Sequence, residues 1–328
     1  MKAWKSLAVL GLTAVACGGQ VSIGGGGGSG GVGLGAAMGE SKTKYSRDID
    51  EWHKGRIQRL KADDGWLTLV GLFPMTNGTH TFGSAADNEF VLPAGAPAHA
   101  GSITMADTAF TLTPASNAVM TLAETSTGEK PPVVAGDMKL ASDANGKPTK
   151  IQMGSIQFYV IDRSPNTFLR VKDANSPVRK NFKSIERYHV DKKWCVDATF
   201  EKYNPPHPIK VPNILGYEDN SMCPGVVTFQ IDGKTYRLEP IAQEGDELSF
   251  VFGDATSGHE TYGGGRELYC PMPGPDGKTV LDFNKAYNPP CVFTKFATCP
   301  LPTRESVLPF KVEAGEKAYG DPALHMHH

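Results

Sequence analysis

The sequence predicts a mainly β fold, an antiparallel sandwich or a partly closed barrel, with one amphipathic helix at its N-terminal end. Three observations carry that prediction. Apolar and polar residues alternate in short runs, the pattern of half-buried strands. Turn pairs such as Asp-Gly and Ser-Pro stand between those runs. Outside a glycine tract near the N-terminus, prolines and glycines recur every few residues and leave little room for long helices.

The helix comes first. Ile49, Trp52, Ile57 and Leu60 fall on one face, with Asp48 and Asp50 in the first turn and Arg56, Arg59 and Lys61 in the last, charges suited to a helix dipole. In DDGWLTLVGLF (63–73) an Asp-Gly turn then leads into an apolar strand. SIQFYVIDR (155–163) and NTFLRVKD (166–173) predict a pair joined at Ser164-Pro165. VTFQI and KTYRLEPI (227–241) predict a hairpin closed by Asp232-Gly233, the pair that favours a two-residue turn. ELSFVFGD (247–254) alternates as well, and PGPDGKTVLDF (273–283) repeats the turn chemistry. The polar stretch 141–150 reads either as a boundary between two lobes or as a long loop in one continuous sheet system.

The chain has 328 residues, 40% hydrophobic and 21% charged, the proportions of a packed globular protein. Its formal net charge of −2 offers no basic excess to neutralise phosphates, which argues against a nucleic-acid partner. No apolar run approaches the roughly 20 residues that span a bilayer.

The N-terminus carries an address. Lys2 and Lys5 precede an apolar stretch from Leu7 to Ala16, the layout of an export signal over residues 1–17. It ends in Ala14-Val15-Ala16-Cys17, which resembles a bacterial lipobox; that resemblance implies acylation of Cys17 and a bilayer as partner. The same segment also reads as an ordinary secretory signal cleaved after an alanine. Residues 18–39 hold 12 glycines in 22 positions, too little apolar surface to offset chain entropy. Residues 18–46 therefore read as a disordered tether with a span of about 30 Å. The folded body is expected over 47–320, followed by a tail at 321–328. The location expected is the cell envelope, on the exported side of a membrane.

After Cys17, the remaining cysteines are Cys195, Cys223, Cys270, Cys291 and Cys299. An oxidising compartment favours pairing, and Cys291 and Cys299 are close enough in sequence to close a short disulfide loop. No C-x-x-C or H-x-x-x-H spacing occurs, so no metal site is expected, and the terminal His-Met-His-His reads as a solvated end. A G-x-S-x-G elbow is absent. Gly277-Lys278-Thr279 lacks the earlier glycine of a phosphate-binding loop and reads as a turn. No cofactor is expected.

The most distinctive text is GHETYGGGRELYCPMP (258–273) and LDFNKAYNPPCVFTKFATCPLP (281–302). With DGWLTLVGLF at 64–73, Asn77-Gly78 before Phe82-Gly83, and RVKDANSPVRKNF at 170–182, these blocks resemble the bacterial and archaeal family called domain of unknown function 1684. The resemblance spans nearly all of 47–320 and implies no activity. In that family an aromatic residue often follows ETYGGGR, whereas this chain has Glu267.

The residues' own chemistry suggests a site. Gly263 to Gly265 permit close approach or positive φ, flanked by Glu260, Tyr262 and Arg266. Asp282, Asn284 and Lys285 follow, before the rigid Pro289-Pro290. The expected catalytic residues are Glu260, Tyr262 and Asp282. Arg163, Lys172, Arg179, Arg266, Asn284 and Lys285 are the expected ligand-binding groups, for an anionic or polyhydroxylated small molecule. Two functions stay open: a tethered protein with one such pocket and hydrolase-type chemistry, or a non-enzymatic module that binds cell-wall sugars or another envelope protein. Convergence of these side chains on an open hollow favours the first, and burial in mutual pairs the second.

Overall fold

The computed structural model describes residues 43–123 and 131–320. The expected signal segment, acylated Cys17, the glycine tract and the tail from 321 lie outside the described residues.

The architecture is mainly β, with sheets built almost throughout from antiparallel pairs. Helix α1 (Lys44–Leu60) starts inside the stretch expected to be tether: Thr43 caps it, accepting a hydrogen bond from the Ser46 backbone N–H at 3.2 Å. Ile49 and Leu60 are buried as the periodicity predicts, but so is Arg56. A second helix, α2 (Pro177–Asn181), is one short turn with Pro at its start. Among the described residues no helix is long and apolar enough to cross a membrane.

Two five-stranded sheets enclose the first core. One runs β1 (Leu69–Met75), β10 (Asn166–Asp173), β9 (Ile156–Arg163), β8 (Ile151–Met153), β6 (Thr121–Leu122). The other runs β3 (Phe90–Val91), β2 (Gly78–Gly83), β4 (Gly101–Ala106), β5 (Ala109–Pro114), β7 (Met138–Leu140), where only the short β2–β3 contact is parallel. Phe82, Ile103, Leu112, Phe158, Val160 and Leu169 fill the space between them. The expected β9–β10 hairpin forms, Arg163 opposite Asn166.

A four-stranded sheet, β13 (Lys234–Leu238), β12 (Glu218–Ile231), β11 (Cys195–Pro212), β17 (Lys278–Asp282), packs with a three-stranded one, β14 (Ala242–Glu244), β15 (Glu247–Phe252), β16 (Arg266–Pro271). Phe229, Leu248, Phe250, Phe252, Leu281 and Phe283 form this second core. Two hairpin turns follow from their glycines. Asp232 and Gly233 both have positive φ (50° and 73°), the type I′ arrangement. Gly245 alone has positive φ (61°) between Glu244 and Glu247, the II′ arrangement.

The change of core falls after β10, and the 141–150 stretch joins the two sheets of the first core. A third cluster (Leu60, Leu67, Phe182, Ile185, Tyr262, Phe293) fastens α1 and the first core to the second.

Candidate functional site

Helix α1 lies against the run that follows β17. Tyr45 on its first turn donates to Asp282 Oδ1 at 2.8 Å, and Asn284 Nδ2 contacts the Tyr45 hydroxyl (2.8 Å), the Asp191 carbonyl (2.9 Å) and Asp282 Oδ1 (3.2 Å). Burial pushes the Asp282 carboxyl above its usual range. Lys285 Nζ stands 4.0 Å from Asp282 Oδ2. Asp282 ends β17 and caps the 3-10 turn Phe283–Lys285, so the turn and not strand alternation makes Asp282 and Asn284 neighbours, and both are occupied in fastening the helix.

Arg266 opens β16 with no solvent exposure. One guanidinium nitrogen donates to Asp254 Oδ2 at 2.8 Å and to the Val312 carbonyl at 3.0 Å, the other to the Ala314 carbonyl. Its carboxylate partner is therefore Asp254 and not Glu260. The glycines before it permit the crossing: Gly265 has φ +84°, and a Cβ there would meet Pro302 Cγ at 2.4 Å and the Phe252 carbonyl oxygen at 2.8 Å.

Glu260 faces outward, accepting from Lys311 Nζ (2.7 Å) and the Tyr188 hydroxyl (2.9 Å); Lys311 holds its carboxyl below the ordinary value. Tyr262 points the other way, buried in the junction cluster with its hydroxyl beside the Cys291 thiol. The short loop does bring Cys291 and Cys299 together, but as thiols: the Cys291 N–H donates to Cys299 Sγ at 3.2 Å.

The cations from the middle block lie elsewhere. Arg163 bonds Asp143 (2.9 Å) at the far end of the β9–β10 hairpin. Lys172 donates to the Asp64 carbonyl at 2.5 Å, below the Trp66 ring, and burial lowers its pKa. Arg179 clamps the Lys61 and Ala174 carbonyls and Asp63. The side chains singled out in the sequence thus hold loops and helix ends together instead of facing one shared hollow.

A different set converges. Glu267 and Tyr269 share one face of β16, two residues apart, and Tyr269 lies opposite Ser249 while Ser249 lies opposite Ala242 of β14. That register sets Glu244 diagonally beyond Tyr269, whose hydroxyl is 3.3 Å from both Glu244 carboxylate oxygens. The Tyr287 ring lies parallel to that of Tyr269 (centroids 6.3 Å apart, 5° between planes), and its hydroxyl bonds Glu267. Helix α1 supplies the back wall. The Arg56 guanidinium sits 4.3 Å over the Tyr287 ring, and Trp52 is tilted against it at 6.2 Å. Arg56 is held in turn by Glu316 Oε1 (3.1 Å) and the Asn288 carbonyl (2.7 Å).

This cluster's electrostatics are set by burial. Desolvation, with Glu267 and Glu247 nearby, pushes the half-buried Glu244 carboxyl up to about 7. Burial likewise raises Glu267. A carboxyl raised to about 7, as that of Glu244 is, suits hydroxyl-bearing ligands and proton transfer beside tyrosine faces.

Glu244, Tyr269 and Arg56 were absent from the sequence-derived set, and their signals were weak. The clearest was Glu267, an acid at a place where the resembled family often has an aromatic residue. Asp254 and Glu316, the partners of Arg266 and Arg56, carried no local signal at all.

None of the curated proteins compared with this chain matches it. The solution NMR structure of an uncharacterized protein from Haloarcula marismortui is 26% identical, covering 42% of this chain and 78% of that one, with a TM-score of 0.36. The model of one family, described as "Protein of unknown function (DUF1684)", matches residues 180–317. That span takes in the second core and leaves out the blocks at 64–73 and 77–83. Over residues 180–317 the chain is similar to this family of unknown function.

Proposed function

We propose that the protein is a membrane-tethered envelope lipoprotein that holds a polyhydroxylated ligand against Tyr269 and Tyr287, with Glu244 as proton donor and acceptor. The carrying observation is the geometry of Glu244: both its oxygens lie 3.3 Å from the Tyr269 hydroxyl on a sheet face walled by a second tyrosine. Tyrosine rings offer sugar C–H faces a flat apolar surface, and carboxyls accept from sugar hydroxyls. The acid-rich lining favours a polyhydroxylated over an anionic ligand. Chemistry at such a site is hydrolase-type: Glu244 protonates the leaving oxygen as its bond to carbon breaks, and water bonds that carbon and gives its proton to solvent.

The second reading, a non-enzymatic envelope module, draws on the burial of Tyr262 and on the pairs Arg266–Asp254 and Asp282–Tyr45. N-acetylglucosamine oligosaccharides and muropeptides separate the two. The first reading expects saturable binding that Tyr269→Ala abolishes, and slow cleavage that Glu244→Gln stops while binding survives. Binding without cleavage selects the module; absence of binding to any of these probes removes the site. For the address, Cys17→Ser should move the protein from the membrane to the soluble fraction, and an unchanged membrane fraction overturns it. An oxidising compartment would also join the adjacent Cys291 and Cys299 thiols, which denaturing, non-reducing thiol counts test: five free thiols in the exported body exclude it.

A further inference from the structure

We infer that His207, Cys223 and Glu239 form a zinc-type divalent metal site, separate from the carboxyl–tyrosine cluster. One ligand atom from each lies within 4.8 Å of the other two. No linear motif announces this set, because the sheet assembles it. His207 on β11 and Cys223 on β12 are direct cross-strand partners, so their side chains leave the same face of the ladder. Glu239 follows β13, and the run after it is tied alongside β12 where the Ser221 hydroxyl donates to the Ile241 carbonyl.

The local irregularity of β11 aims the histidine. Between Lys202 (opposite Gly225) and His207 (opposite Cys223) the ladder shifts register, so Tyr203–Pro206 bulge from it. The bulge stacks the Tyr203 ring on His207, centroids 4.5 Å apart, and delivers the Tyr203 hydroxyl to Glu239 Oε1 at 2.6 Å. One tyrosine therefore orients two of the three donors, as outer-shell partners of metal ligands do. Glu239 Oε2 is left facing His207 Nε2 at 3.9 Å. Zinc bonds to nitrogen and oxygen are about 2.0–2.2 Å long, which puts tetrahedral ligands about 3.4 Å apart, so this pair needs to close by about half an ångström.

The donor set selects the ion class. A thiolate and an imidazole favour zinc and its borderline relatives over magnesium or calcium. Three protein ligands leave a fourth position for water, and His207 and Glu239 are partly exposed while Cys223 is buried. Glu239 also lines a cleft of about 190 Å³ with Lys210, Thr303 and Glu305. On binding, the Cys223 thiol, which now donates to the Gly225 carbonyl at 3.0 Å, releases its proton to solvent and the sulfur joins the metal.

Cobalt(II) titration of the reduced full-length protein tests the site, because a thiolate ligand produces a near-ultraviolet charge-transfer band that the histidines of the C-terminal tail cannot. We expect the band to saturate at one cobalt per chain and zinc to displace it. Cys223→Ser should abolish it, His207→Ala and Glu239→Gln should weaken affinity at least tenfold, and Cys291→Ser should leave it unchanged. The inference fails if no such band forms, if the band follows Cys291 instead of Cys223, or if His207→Ala and Glu239→Gln both bind as the wild type does. Melting curves of each variant without metal are the folding control. A band lost only from variants already unfolded at the assay temperature counts against the assignment unless Tyr203→Phe, which keeps the ring, also lowers affinity.

Discussion

The two cores solve the burial problem differently. Between the five-stranded sheets the packing is largely apolar, with Phe82, Leu112, Phe158 and Leu169 in one cluster; among the described residues His80, Asn88, Arg170 and Asp173 are buried polar side chains on these strands and their loops. In and around the second core, Asp254, Arg266, Asp282, Asn284, Asn288 and Glu316 are buried, each tied to partners from distant parts of the chain. Apolar surface packs against any apolar surface of matching shape, whereas a buried charge is tolerable only opposite its own partner. The second region is thus the one whose sequence is constrained residue by residue, and it is also the region that the family match covers.

The sharpest way to break this contrast is to remove one buried partner from each core. Asp254→Ala leaves the fully buried Arg266 without its carboxylate and should cost about 3–5 kcal/mol. Leu112→Ala, a cavity in the first core, should cost about 2–5 kcal/mol. Repair distinguishes them better than magnitude does. Adding Arg266→Met to Asp254→Leu replaces charge with apolar volume and should recover most of the first loss. Urea denaturation of the set measures this; a double variant no more stable than Asp254→Ala would mean that the Arg266 bonds to the Val312 and Ala314 carbonyls, and not charge pairing, hold the region.

The same contrast explains what could be read from the sequence. Strands and turns were legible because their signals are local: Asp232-Gly233 closes the β12–β13 hairpin, 247–252 becomes β15, and the periodicity at 49–60 becomes α1. The site was not. Arg266 and Glu260, six residues apart, were both expected to face one ligand, yet Arg266 turns inward to Asp254 while Glu260 turns outward to Lys311. Arg56 looked like a helix-dipole charge, and only the tertiary fold brings it to Glu316, 260 positions away. The His207–Cys223 pairing depends on a strand register that a proline-rich bulge shifts, and spacing rules do not encode it.

A medium-sized effect sharpens the comparison at the carboxyl–tyrosine cluster. The Glu244 carboxyl is raised from 4.5 to about 7 in the folded protein. Between those values the folded state keeps a proton that the unfolded chain has released, so the contribution of Glu244 to stability is full below about 4.5 and is lost as pH rises through 7. Glu244→Gln mimics the protonated form. It should flatten that decline and, at pH near 8, stabilise the protein by about 1–2 kcal/mol after allowance for solvent screening. Part of the slope should remain, because burial also raises Glu267 and Asp282. Melting temperatures of wild type and variant from pH 4 to 8 measure the difference, and parallel curves would remove Glu244 from the list of tuned groups.

The smallest expected effect lies at Glu260, the acid that the sequence placed first. Its bond to Lys311 is short at 2.7 Å, but both side chains stand in solvent, where water screens the attraction and ordering two long side chains offsets what remains. Lys311→Ala should therefore leave the urea midpoint where it is, with the Glu260 carboxyl returning toward its ordinary range because Lys311 is the main cause of its lowering. The Tyr188 hydroxyl still donates to Glu260, so the return should be incomplete, and NMR titration of the carboxyl resolves it. A large stability loss from this exposed pair, comparable with that of Asp254→Ala, would show that charge pairing in this region matters irrespective of burial, and the distinction between the two cores would then need another cause.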